Sequence, residues 1–127
     1  MESPFKGRVG LSRLWHALGY SLAGFHATFR YEDAFRQEVL LAVVLIPLAI
    51  WLPVSLIGKA LMIGSVLLIL IVELLNSAVE ATVDRISLKR HDLAKRAKDI
   101  GSAAVLLSLL NACVMWALVL LTTYSLW

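Results

Sequence analysis

The chain has 127 residues, of which 60% are hydrophobic and 17% charged, with a mean hydropathy of +0.81; a soluble domain keeps nearer half its residues apolar, so an ordinary water-soluble domain is excluded. The formal net charge of +3 does not point to nucleic acid, because the Lys and Arg residues flank apolar blocks, where anionic lipid headgroups are the nearer partner. The single Cys113 excludes a disulfide scaffold.

Residues 1–10 contain Pro4, Gly7 and Gly10 and no apolar run long enough for a signal peptide, so no cleaved leader is expected and the first span directs insertion. From Leu11 the apolar positions Leu11, Leu14, Trp15, Leu18, Leu22, Phe25 and Phe29 recur every three or four residues, which predicts a helix over about 11–30 with one greasy face. Arg13, His16, Tyr20 and Arg30 lie off that face. Too polar to span, this helix is expected to lie in the membrane interface.

Three apolar blocks follow, at 39–58, 60–75 and 100–121, and they predict membrane helices at about 33–53, 55–86 and 92–123. The charged segment from Tyr31 to Glu38 carries no breaker and is expected to run helically into the first span, which places Glu32 at its mouth. Pro47 lies inside that span, and Pro53 ends it. Trp51 and Lys59 suit a membrane interface. The basic connection 87–99 leads to the third span, with Asp92 as a candidate helix cap. There Ala97 and Gly101, and Ala104, Ser108 and Ala112, have the small-residue spacing that lets membrane helices approach closely.

Five Lys and Arg residues precede the first span, one lies between the first and second, six between the second and third, and none after the third. The positive-inside rule then puts the N-terminus and the basic connection in the cytosol, and the 53–59 turn and C-terminal tail outside.

The second block ends in Val-Glu-Leu-Leu-Asn-Ser-Ala-Val-Glu-Ala-Thr-Val-Asp-Arg at 72–85. Asn76, Ser77, Glu80 and Asp84 follow Glu73 by three, four, seven and eleven residues, so on a helix the five form one polar stripe. Glu73 is the deep carboxylate of the stripe, and such a group in a membrane span is costly without a task or partner. Glu80 lies nearer the cytosol, where with Glu32 it would hold a hard cation such as Mg²⁺. Lys98 and the basic connection offer charge for phosphates. Together these features suggest phosphoryl transfer to a hydroxyl approaching from within the membrane. Taken alone, the stripe also fits helix packing or transport. No GxxxxGK[ST] and no GxGxxG occurs, which excludes an ordinary P-loop or protein-kinase fold, and His16, His26 and His91 lack zinc-site spacing.

The run from Glu73 to Arg85, followed by Arg-Ala-Lys-Asp-Ile-Gly-Ser-Ala-Ala-Val at 96–105, resembles the signature of the small prokaryotic diacylglycerol kinases, with Gly19-Tyr20-Ser21 and the segment 32–38 as further matches. The resemblance extends without a gap from about residue 13 to 116. It implies an all-α, homotrimeric enzyme of the bacterial inner membrane, with three transmembrane helices and a surface helix per subunit, that transfers the ATP γ-phosphate to diacylglycerol with Mg²⁺ as cofactor. By the motif, Glu73 matches the general base, and Glu32 and Glu80 the metal-binding carboxylates that also face ATP. Lys98 and Asp99 match nucleotide contacts, and His91 a nucleotide-side position. Arg13 and Tyr20 match positions near both nucleotide and lipid. Ser21, Ala34, Phe35, Arg36, Gln37, Glu38, Trp51, Asn76, Ser102 and Trp116 match lipid-side or site-supporting positions. His16 and His26 depart from the pattern, where Lys or Arg is common, as does the Lys89-Arg90 pair. The similar undecaprenol kinases are the alternative within the family. A small proton-coupled multidrug transporter is the alternative from another class, although it would not need Lys98 and Asp99 or a second carboxylate at the cytosolic mouth.

Overall fold

The computed structural model describes residues 9–86 and 92–124. Among these there is no strand, and four helices follow in order: α1 (Val9–Tyr31), α2 (Asp33–Trp51), α3 (Leu56–Ile86) and α4 (Asp92–Thr123). The last three are each long and apolar enough to cross a bilayer. Helix α3 is the shared element: it packs along α4 and α2, while α1 touches only α2 and α3.

The helix boundaries have local causes. Ser55 caps α3, its Oγ accepting the backbone N–H of Gly58 at 3.0 Å. Lys59, one turn into α3, reaches back and donates from Nζ to the carbonyl oxygens of Leu52 at 2.6 Å and Ala49 at 3.2 Å, groups that the end of α2 leaves without helical partners. Lys59 therefore ties α2 to α3 across the 52–55 turn. Pro47 stays within α2. Asp92 lies in the first turn of α4, where its charge complements the helix dipole.

One boundary differs from the sequence expectation. Residues 31–38 do not form an unbroken helix: Glu32 has extended backbone angles (φ −118, ψ 109) and separates α1 from α2. Its N–H still bonds to the Thr28 carbonyl at 2.9 Å, and its carbonyl accepts from Arg36 N–H at 3.3 Å, so the corner breaks the helix with little loss of backbone bonding. The guanidinium of Arg36 secures it, donating to the carbonyl oxygens of Phe29 at 2.7 Å and Arg30 at 2.8 Å while pairing with Asp33. The break is made by a side chain on the following helix, so no Gly or Pro marks it.

The core is thin. Ala49, Val54 and Met62 form a buried cluster with Leu52, Ile63, Trp116, Val119 and Leu120 around it, and the Trp116 indole donates to the Met62 carbonyl at 3.1 Å. Further along, Val66, Ile69, Ser65, Ser108 and Ala112 are buried. The seam between α3 and α4 is close at both ends: a Cβ on Gly58 would come within 2.9 Å of Val119 Cγ1, and one on Gly101 would overlap the side chain of Asn76. Of the small residues expected to pack, Ser108 and Ala112 do, whereas Ala104 faces outward because the helical repeat turns Val105 toward the seam instead.

The accessible surface is 9703 Å², against about 6,700 Å² for a compact soluble chain of this mass. The excess is apolar, with Leu40, Val43, Leu107 and Leu110 among the uncovered side chains, which suits helices whose outer faces meet lipid or other helices. On α1 the apolar face forms as predicted and stays open, with Leu11 85% and Trp15 75% exposed.

Candidate active site

The apolar sequence around Glu73 keeps α3 helical through the membrane, and the three- and four-residue spacing turns the polar positions to one side. Glu73 is buried at 5% exposure and Asn76 at 9%, so the stripe faces the bundle rather than lipid. The Asn76 Nδ2 donates to Glu80 Oε1 at 3.3 Å, one helical turn on. Glu73 lies within electrostatic reach of Glu80 and Glu32, and Glu38 within reach of Glu73. Helix α2 and the corner before it thus bring Glu32 and Glu38 to the carboxylates of α3, four acidic side chains in one region. Glu38 leaves Oε2 buried without a hydrogen-bond partner, and Asn76 leaves Oδ1 so.

A groove of about 430 Å³ opens beside the stripe, between Gly24, Ala27, Thr28 and Tyr31 of α1, Glu32 at the corner, and Leu74, Ser77, Ala78 and Ala81 of α3. Small residues on both helices make the room. Ser77 of the stripe brings a hydroxyl group to it, as do Thr28 and Tyr31, which were not singled out from the sequence; the three-residue spacing of Gly24 with Ala27 and of Ala78 with Ala81 was the available signal.

At the C-terminal end of α3, Asp84 Oδ1 pairs with Lys98 Nζ of α4 at 2.6 Å, and Asp99 pairs with Lys95 at 2.7 Å. All four side chains are well exposed, so these pairs are readily exchanged for another anion or cation. Lys98 also lies within reach of the Glu80 charge, which joins the acidic stripe to the basic end of α4.

The other sequence-derived positions divide clearly. Phe35 is buried at 3% beneath the corner, Arg36 is committed to capping α1, and Ala34 and Gln37 are exposed beside them. Ser102 faces outward next to Gly101. Trp51, 78% exposed, and Trp116, bonded to Met62, lie at the other end of the bundle from Glu80. Arg13, Tyr20 and Ser21 are exposed on the part of α1 that precedes the groove; within one chain they do not join the carboxylates. His91 lies outside the described residues.

Among the described residues no group of three or more His, Cys, Asp or Glu side chains forms an all-protein metal cage. Glu32 and Glu80 each lie within electrostatic reach of Glu73 and offer oxygen ligands of the type Mg²⁺ prefers, an ion that takes one or two carboxylates and completes its shell with phosphate and water.

The profile of the prokaryotic diacylglycerol kinases matches residues 19–120, a span that includes the whole acidic stripe, the corner at Glu32 and the Lys98-Asp99 pair. The chain belongs to the prokaryotic diacylglycerol kinase family. It is 64% identical over 119 residues to the diacylglycerol kinase of Pseudomonas aeruginosa, covering 94% of this chain and 97% of that one. Against the diacylglycerol kinase of Escherichia coli K12 the identity is 47% over 112 residues (88% and 92% covered), and against that of Haemophilus influenzae 49% over 108 residues (85% and 92%). Membership in this family of membrane lipid kinases accounts for a buried glutamate on a membrane helix better than helix packing or transport does.

Proposed function

We propose that the protein phosphorylates diacylglycerol to phosphatidic acid with ATP, at the cytosolic face of the bacterial inner membrane. The observation that carries this is the burial of Glu73 in the bundle, on a stripe whose Ser77 lines an open groove and within reach of the carboxylates of Glu32 and Glu80. In this mechanism the free hydroxyl of diacylglycerol enters along the groove and Glu73 accepts its proton. The hydroxyl oxygen bonds to the γ-phosphorus, the bond from that phosphorus to the β,γ-bridging oxygen breaks, and ADP leaves. Glu32 and Glu80 would hold Mg²⁺, which neutralises phosphate charge when bound. Lys98, exchanging Asp84 for phosphate, and Asp99 hold the nucleotide. The apolar faces around the site exclude water, so that transfer to the lipid outruns hydrolysis.

The assembly proposed is a homotrimer whose active sites are shared between subunits, with the N-terminus in the cytosol and the C-terminus in the periplasm. The apolar surface left open by one chain supports association, and the separation of Arg13 and Tyr20 from the carboxylates supports sharing. The deciding experiment incubates purified protein with Mg²⁺, radiolabelled ATP and, separately, diacylglycerol or undecaprenol in mixed micelles. Label is expected in phosphatidic acid. Preferential labelling of undecaprenol would overturn the substrate, and label in neither lipid would overturn the kinase activity.

A further inference from the structure

Gly101 is where α4 meets the acidic stripe of α3. A Cβ built there would overlap the Asn76 carboxamide, whereas at Gly10, Gly19, Gly24 and Gly64 it would meet nothing within 4 Å. The missing side chain at 101 therefore makes room for one particular group. That group is almost fully buried, is bonded to Glu80 at 3.3 Å, and has no hydrogen-bond partner for its oxygen. A carboxamide with a single long hydrogen bond is held chiefly by what surrounds it, here the bare backbone of α4 at Gly101 on one side and Glu80 on the other.

We infer that Gly101 is a positioning residue: it seats the Asn76 carboxamide in the α3–α4 seam, and Asn76 in turn orients Glu80. The inference rests on the role proposed above for Glu80 as a carboxylate that holds Mg-ATP. A methyl group at 101 leaves Asn76 one way to avoid the clash without parting the helices, which is to rotate out of the seam and release Glu80. The consequence belongs to nucleotide binding rather than to the proton acceptor Glu73.

The test compares Gly101→Ala, Asn76→Ala and the double variant. The first readout is the Mg²⁺ dependence of binding of a non-hydrolysable ATP analogue, followed by equilibrium dialysis in detergent; the second is the division of any loss between KM for Mg-ATP and kcat. Losing the Asn76–Glu80 bond is expected to raise the Mg²⁺ concentration for half-maximal binding by about tenfold in each single variant, an effect on the scale of one hydrogen bond. The double variant should match Asn76→Ala alone, because without the carboxamide a methyl at 101 meets no obstacle. Multiplying effects in the double, or analogue binding by Gly101→Ala like that of the parent, would overturn the inference. Where Gly101→Ala does not assemble, the double variant decides: recovered assembly supports the clash, and an equally unfolded double refutes it. Glu80→Gln separates the two levels. Unchanged Mg²⁺ dependence there overturns the role of Glu80, whereas a normal Glu80→Gln effect without coupling between positions 101 and 76 overturns this inference alone.

Discussion

Glu73, Glu80 and Glu32 differ in setting more than in chemistry. Glu73 is buried among helices, while Glu80 and Glu32 are half-buried nearer the charged end, where Lys98 lies. The same functional group is thereby suited to accepting a proton in one place and holding a cation in another. Glu73→Gln preserves shape and removes the proposed proton acceptor, so kcat is expected to fall by about 10²- to 10⁴-fold while binding of an ATP analogue stays close to normal. Near-normal turnover would show that the base lies elsewhere. Glu32→Gln and Glu80→Gln are expected to weaken Mg-dependent nucleotide binding by about tenfold or more, with partial recovery at high Mg²⁺ because other ligands remain. Titrating activity with Mg²⁺ distinguishes the two classes, since Glu73→Gln gains nothing from added metal.

Among the elements, the ends of helices carry as much information as their apolar faces. Lys59 and Arg36 both reach back from one helix to the carbonyl oxygens that close the preceding one, Lys59 over α2 and Arg36 over α1. Lys59 lies far from the carboxylates, so Lys59→Met is expected to lower stability by about 1–2 kcal/mol through lost charge-assisted capping, with turnover per folded enzyme preserved. Unfolding in mixed micelles with rising SDS measures the first and an assay normalised to folded protein the second. Loss of turnover at full stability would give Lys59 a part in the chemistry instead. Arg36→Ala is expected to act differently, because the corner it holds presents Glu32. Its Mg²⁺ requirement should rise together with a loss of stability, and a stability loss with unchanged Mg²⁺ dependence would separate the corner from the carboxylates proposed to hold Mg²⁺.

For the whole molecule, the relevant quantity is how little one chain buries. Of the residues described, Met62 and Val66 are the large side chains most fully enclosed, and the outer faces of α2 and α4 carry apolar side chains along their length. Glu32 and Glu73 lie within electrostatic reach of each other in one chain, whereas Arg13 and Tyr20 do not join them. If sites are shared, inactive Arg13→Ala and inactive Glu73→Gln subunits unfolded together and refolded as mixed oligomers should regain activity, because some interfaces then hold an intact Arg13 beside an intact set of carboxylates. Mixtures that remain as inactive as either parent despite verified subunit exchange would place each site within a single chain.

The amino-acid sequence by itself determined the helices, because a span must satisfy its backbone hydrogen bonds locally and its apolar length is therefore written as a continuous run. It also determined that Glu73, Asn76, Ser77, Glu80 and Asp84 share a face, since helical spacing is a local property. Where the helices meet was decided only by the tertiary structure. Gly101 and Ala104 look alike as small residues, yet one receives Asn76 and the other faces out. The break at Glu32 has no local sign because Arg36 secures it from the next helix, and the pairing of Asp84 with Lys98 joins two helices across a connection. Each depends on which faces pack together, and in a chain apolar on nearly every face the hydrophobic pattern does not single out one packing over another.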